Sequence, residues 1–326
     1  MARCPTALAR ILVLGLLAAV AAPSAAQQAY PVRSIHLISP YAPGGGNDIM
    51  ARLIGQRLSE SLGQQVLVEN RPGGNTVIGT DALAKSAPDG YTLLLVGTDH
   101  VLVPQLLKVP YDPIKDFAPV ATLASGELAL VVNLSLPANS LQEFIALAKS
   151  NPGRLNYATY GSGSTSHLAA ELFSMMVGAK MQHIPYKGAG PAIVDLVGGQ
   201  VQLFFATSAS VVSHVKGGKI KAIAISGKSR KSVLPEVPTF TEAGLPGFDV
   251  TFWYSVLAAA GTPKEIVDKL STQIARILAL PDYKEKLESQ GVEPFISTPE
   301  QFAALLRADM AKYAKVIKAA DIKFEN

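Results

Sequence analysis

Residues 39–48, Ser-Pro-Tyr-Ala-Pro-Gly-Gly-Gly-Asn-Asp, set three consecutive glycines between a β-prone run (34–38) and a stretch where Ile49, Met50, Leu53, Ile54 and Leu58 recur at helical spacing. Without Cβ atoms, Gly44, Gly45 and Gly46 let backbone N–H groups approach a bound group closely. The helix start that follows, through Asn47 and Asp48, adds orphan N–H donors and the positive end of a dipole. Such a turn is an anion seat, suited to a carboxylate, sulfate or phosphate. An ordinary βα turn would use the same residues for geometry alone. A second turn has the same grammar. Tyr160-Gly161-Ser162-Gly163-Ser164-Thr165-Ser166-His167 joins the strand-like run 155–159 to a helix through Leu168, Leu172, Phe173 and Met176. Here hydroxyls stand beside the amides. Two such seats facing one another would hold a molecule with two negative groups, or one negative and one polar end, through charge-assisted bonds.

Other chemistries are poorly supported. No Lys-Ser or Lys-Thr follows the glycines, and residues 44–49 do not spell G-x-G-x-x-G. The five histidines, His36, His100, His167, His183 and His214, form no H-E-x-x-H pair, so no metal site is expected. Gly161 to Ser164 lacks the spacing of a G-x-S-x-G nucleophile elbow. Ser164 and His167 read instead as a helix cap and its first-turn neighbour, and Asp48 reads as an N-cap. Asp48 and Asp99 lie in separate loops, where a carboxylate pair is conceivable, and Trp253 reads as core. No catalytic residue and no cofactor are expected.

The elements that must position these turns alternate strand and helix. The runs 65–69, 91–96 and 201–206 each end in small polar residues: Asn70 to Asn75, Gly97-Thr98-Asp99-His100, and Thr207-Ser208. The short run 183–187 ends at Tyr186-Lys187 before Gly188. The apolar continuity of 91–96 marks a strand covered on both faces of a parallel sheet, and in open α/β sheets ligands sit at the carboxyl ends of strands. Residues 104–119 read as a proline-rich connection and 128–132 as a strand. The run 248–257 reads as a long alternating strand able to cross between domains. Capping boxes are expected at Ser140–Glu143, at Thr262–Glu265, and at the last helix beyond Thr298.

Arg3, Arg10, the apolar run 11–22 and Ser24-Ala25-Ala26 form a leader with cleavage near Ala26. The single cysteine, Cys4, leaves with it. The whole sequence has net charge +4, and removing those two arginines leaves +2, too little to argue for nucleic acid or an anionic membrane. The 326 residues suggest two domains.

At these residues the chain resembles the extracytoplasmic solute receptors of tripartite tricarboxylate transporters, the TctC or Bug family. The matching passages run in order along the mature chain: 30–33, 40–48, 68–74, 88–93, 167–173, 185–188, 237–240 and 261–263. The resemblance implies a two-domain α/β periplasmic binding protein of the type II, Venus-flytrap kind, a monomer with its ligand cleft between domains. It implies 27–128 plus 252–326 as domain one and 129–251 as domain two. It further implies capture of a small carboxylate, a di- or tricarboxylate or an aromatic acid, and delivery to a membrane permease. The family's binding loops map onto Tyr41, Gly44 to Asp48 and Gly161 to Ser166, with Asn75, Thr98, Tyr186 and Thr207 at neighbouring strand ends. Relatives often carry Asp or Asn where this chain has Ala206-Thr207. His100 and Tyr160 are the positions expected to set selectivity, Tyr160 favouring a longer or aromatic acid. A receptor feeding a regulatory partner stays open as an alternative, as does an exported hydrolase using Ser164.

Overall fold

The computed structural model describes residues 30–319; the leader and its cleavage near Ala26 lie outside them. Strand β1 (Ile35–Ser39) pairs in parallel with β2 (Val66–Asn70) and β3 (Thr92–Gly97). Helices α1 (Gly46–Leu62), α2 (Val77–Ala84) and α3 (Asp99–Leu106) follow those strands in turn. The polar stretch 97–100 is therefore a helix start rather than an open turn. Strand β4 spans Phe117–Asn133, eleven residues earlier than its apolar run announces. Pro119 sits inside it at a register shift between Pro119 and Ala121, a bulge where the missing N–H costs no ladder bond.

After β4 come α4 (Leu141–Ser150), β5 (Asn156–Thr159), α5 (Thr165–Val177), β6 (Gln182–Pro185), α6 (Ala189–Val197), β7 (Leu203–Thr207), α7 (Ser208–Lys216) and β8 (Ile220–Ile225). Strand β9 (Thr251–Ala259) precedes α8 (Lys264–Ala279), α9 (Pro281–Ser289), β10 (Val292–Pro294) and α10 (Pro299–Ala319). The strands follow the order β2-β1-β3-β9-β4-β7-β5-β6, with β8 and β10 on β4. Residues 117–127 of β4 pair with β9, while 128–133 pair with β7 and β8. The sheet thus has two halves joined through β4, and β9 leads back to the first. Strand β9 is buried along Phe252–Ala259 because it is flanked by β3 and β4; burial on both faces replaces the expected alternation.

Each half has its own core. Ile38, Leu94, Leu257, Phe302 and Leu306 pack in the first, and Ala158, Ile193, Phe204, Val211 and Ile225 in the second. Ser140 caps α4 by accepting from Glu143 N, and Thr298 and Gln301 cap α10 reciprocally. Thr262 caps nothing: its hydroxyl donates to Ala259 O, and α8 opens behind Pro263.

A histidine stack in the second half is expected to make folding pH-dependent. The rings of His167 and His183 lie 3.8 Å apart, with Tyr157 stacked 5.2 Å from His183. Burial pushes His167 down to about 2, helped by His183, and pushes His183 down to about 4. Gly163 N–H donates to His167 Nδ1, which fits a neutral ring. Depressed folded values mean that stability is fully present above the unfolded histidine range near 6.5 and is lost as pH falls toward 4. The melting temperature of the ligand-stripped protein should therefore decline from pH 6.5 to 5. His183→Gln should flatten that decline; an unchanged slope would show that the stack does not resist protonation.

Candidate functional site

The carboxyl ends of β1, β3, β5 and β7 meet where the two halves face each other. Five helix starts converge there, contributing Gly45, Gly46 and Asn47 (α1), Asp99 (α3), Thr165 (α5), Ala189 (α6), and Thr207 with Ser210 (α7). Tyr41, Gly97, Thr98 and Tyr160 close the strand ends, and Phe252, Trp253 and Tyr254 of β9 form an aromatic wall. Between them the walls leave about 40 Å³, room for a carboxylate-sized group or a few waters. Helices α1, α3, α6 and α7 begin without a side-chain cap. Their dipoles therefore direct positive partial charge into this space without a basic side chain among its described lining residues. Among the described residues that line it, none is Lys, Arg or His, and Asp99 is the one acid.

Direct hydrogen bonds run from one half to the other across this space. Gly46 N donates to Ser210 Oγ at 2.9 Å, Ser210 Oγ lies 2.8 Å from Thr207 Oγ1, and Tyr254 Oη donates to Thr207 Oγ1 at 3.2 Å. Thr165 donates to Asp99 Oδ1 through its backbone N–H at 2.7 Å and through its hydroxyl, and Tyr41 Oη donates to Asp99 Oδ2. Thr207 N–H reaches Tyr160 Oη, and Ala42 N–H donates to Lys187 O at 2.9 Å. A Cβ on Gly46 would overlap Tyr254 Oη and stand 2.8 Å from Thr207 Oγ1, so even alanine would have to displace Tyr254. Burial pushes the Asp99 carboxyl up, opposed by its bonds from Thr165 and Tyr41.

Of the residues expected at the site, Tyr41, Gly45, Gly46, Asn47, Thr98, Tyr160, Thr165 and Thr207 line the cavity. Asn47 is fixed by Ser39 Oγ and by its own bond to Leu95 O. Gly44 and Asp48 stand behind them. Asp48 is in the first turn of α1, not at its N-cap, which is Gly45. It accepts from Gly44 N, Asn70 Nδ2 and Arg52, and these donors outweigh its burial and hold its carboxyl below the usual range. Asn75 and Tyr186 line an adjoining recess that shares Tyr41 and Tyr160 with the cavity. Asn75 and Thr76 both have left-handed backbone (φ 53° and 75°), and Asn75 Oδ1 stands where a Cβ on Gly161 would be.

Three expectations need correcting. His100 points away from the cavity: Nε2 is 2.8 Å from Pro113 O and the ring packs on Phe117 and Tyr111. Gly161, Ser162, Gly163, Ser164 and Ser166 form and brace the loop without lining the cavity; Ser164 Oγ caps α5 at His167 N and donates to Gly161 O. The start of α5, expected to seat a ligand anion, is occupied by Asp99 from the other half. Ser210, Ala189, Phe252 and Tyr254 were not foreseen as lining residues. The spacing Thr207-x-x-Ser210 after a strand end was the available signal for Ser210.

The model of the tripartite tricarboxylate transporter family receptor, TctC, matches residues 50–322. The chain belongs to this family. As a TctC-family receptor it is 40% identical over 311 residues to Protein BugT of Bordetella pertussis, covering 94% of this chain and 95% of that one. Among solved structures, R. palustris Rpa4515 with adipate superposes with a TM-score of 0.88 at 35% identity, covering 90% of this chain and 99% of that one. The periplasmic binding protein BugD gives 0.87 at 32%, covering 91% and 100%. MatC from Rhodopseudomonas palustris with bound malate gives 0.82 at 34%, covering 88% and 100%. The receptor therefore has the two-domain α/β fold of periplasmic binding proteins, and its family and fold are those of substrate-binding receptors rather than enzymes.

Proposed function

We propose that this receptor captures a small carboxylate in the cavity between its halves, without catalysis, and delivers it to the membrane permease of a tripartite tricarboxylate transporter. The observation that carries the reading is the convergence of five helix starts, four of them without a side-chain cap, on a space with no basic side chain among its described lining residues. That is how a protein seats an anion on backbone dipoles. The adipate and malate held by similar structures support the ligand class. In this reading residues 27–128 and 252–326 form one lobe and 129–251 the other, closing on the ligand as a monomer in the periplasm after loss of the leader. Tyr41, Gly45 to Asn47, Thr98, Tyr160, Thr165 and Thr207 surround the ligand, with Gly44, Asp48, Asn75, Gly161 to Ser164, Ser166 and Tyr186 supporting them.

A thermal-shift screen of protein stripped by unfolding and refolding tests this, with mono-, di- and tricarboxylates, aromatic acids and acidic amino acids. A ligand at 100 times its Kd should add about 2.7 kcal/mol, raising the melting temperature by roughly 4 °C for a chain of this length. No rise with any carboxylate would refute the assignment.

A further inference from the structure

We propose that the ligand carries a cationic N–H group beside its carboxylate, and that Asp99 is the residue that selects for it. This rests on the reading of the cavity as a carboxylate site and names the subclass of acid. Asp99 is 5% exposed and lies in the cavity wall, the one acid among described lining residues that include no base. Its Oδ1 accepts twice, from Thr165 N and Thr165 Oγ1, and its Oδ2 accepts once, from Tyr41 Oη. A carboxylate offers about four acceptor positions, so one remains, on Oδ2.

The helix starts divide the space unequally. The first turn of α5 already has its anion in Asp99, whereas Gly46 N at the start of α1 meets the neutral Ser210 hydroxyl, and the Asp48 carboxylate of that turn is engaged by Gly44, Asn70 and Arg52. A ligand carboxylate therefore belongs at α1, where a neutral hydroxyl can give way. Its neighbouring substituent then falls toward Asp99. A plain diacid would bring a second negative group against that buried carboxylate, and like charges in a dry site repel strongly. An ammonium supplies the missing countercharge and the missing donor together. A role as a latch between the halves explains the two bonds to Thr165 but not a buried charge in the wall.

Calorimetric titration of the stripped protein with three acids on one carbon skeleton tests the proposal: succinate, malate and aspartate, repeated as glutarate, 2-hydroxyglutarate and glutamate. Wild type should bind the amino acid of the accommodated length at least about 10-fold tighter than the plain diacid. Asp99→Asn retains an oxygen to accept from Thr165 but removes the charge. It should weaken the amino acid by about 30-fold or more and tighten the plain diacid. Equal or tighter binding of the plain or hydroxy acid by wild type would overturn the proposal while leaving the carboxylate site standing. Equal weakening of all acids by Asp99→Asn would reduce Asp99 to a latch and overturn it too. Binding of no acid by either protein would refute the carboxylate reading itself, and this inference with it.

Discussion

Gly46→Leu is expected to cost the receptor its ligand while leaving the fold in place. Gly46 is the first residue of α1 and has ordinary backbone angles, so leucine is acceptable to the helix. What leucine cannot do is fit when the halves meet. Even a Cβ overlaps Tyr254 Oη and crowds Thr207 Oγ1 at 2.8 Å and Ser210 Oγ at 3.1 Å. Alanine would be met by a small movement of Tyr254; leucine places three further carbons there and separates Gly46 N from Ser210 Oγ. Over-packing of this kind costs about 3 kcal/mol at the upper end, or a loss of about 150-fold in affinity. Calorimetric titration reads the affinity, and circular dichroism with melting of the free protein reads the fold. Unchanged affinity would mean that the ligand is held without the contacts among Gly46, Tyr254 and Thr207.

Phe173→Ala is expected to produce the largest loss of stability. Phe173 is fully buried, with ring centroids 5.8 Å from Phe144, 5.4 Å from Phe205, and 6.2 Å from both Phe240 and Phe248. Truncation to alanine removes the ring that these four share. Removal of such a side chain costs about 3–5 kcal/mol, which lowers the melting temperature by on the order of 10 °C for a protein of this size. The site should suffer as well. Phe173 is on α5, whose first residue Thr165 holds Asp99, and Phe205 is on β7, whose last residue is Thr207. Calorimetric melting checks the first effect and ligand titration the second. A fall of less than about 2 °C would show that the neighbouring rings close the gap.

The sequence makes the strand-turn-helix frame legible because glycine and hydroxyl runs mark it directly. Tyr41, Gly45, Gly46 and Thr207 could be placed at the cavity because strand ends of an α/β sheet share one edge. His100 could not be oriented. Asp99 and His100 are successive residues of a helix start, and a turn of about 100° sends one to the cavity and the other to Pro113. The filling of the α5 start by Asp99 is a contact between residues 66 apart in sequence, invisible to local pattern. Pro119 hid the first part of β4, because a bulge that accommodates proline leaves no mark in composition.

The chain passes from one half to the other along β4 and returns along β9, and Glu127 and Thr251 at those crossings are register partners. Two crossings side by side act as a single hinge pin. Hydrogen-bonded neighbours resist sliding along their length, so a separation of the halves, as the proposed capture of a ligand requires, would be a rotation about that short axis. One pair of fluorophores, on the exposed faces of α1 and α6, would then report such a rotation as a single distance.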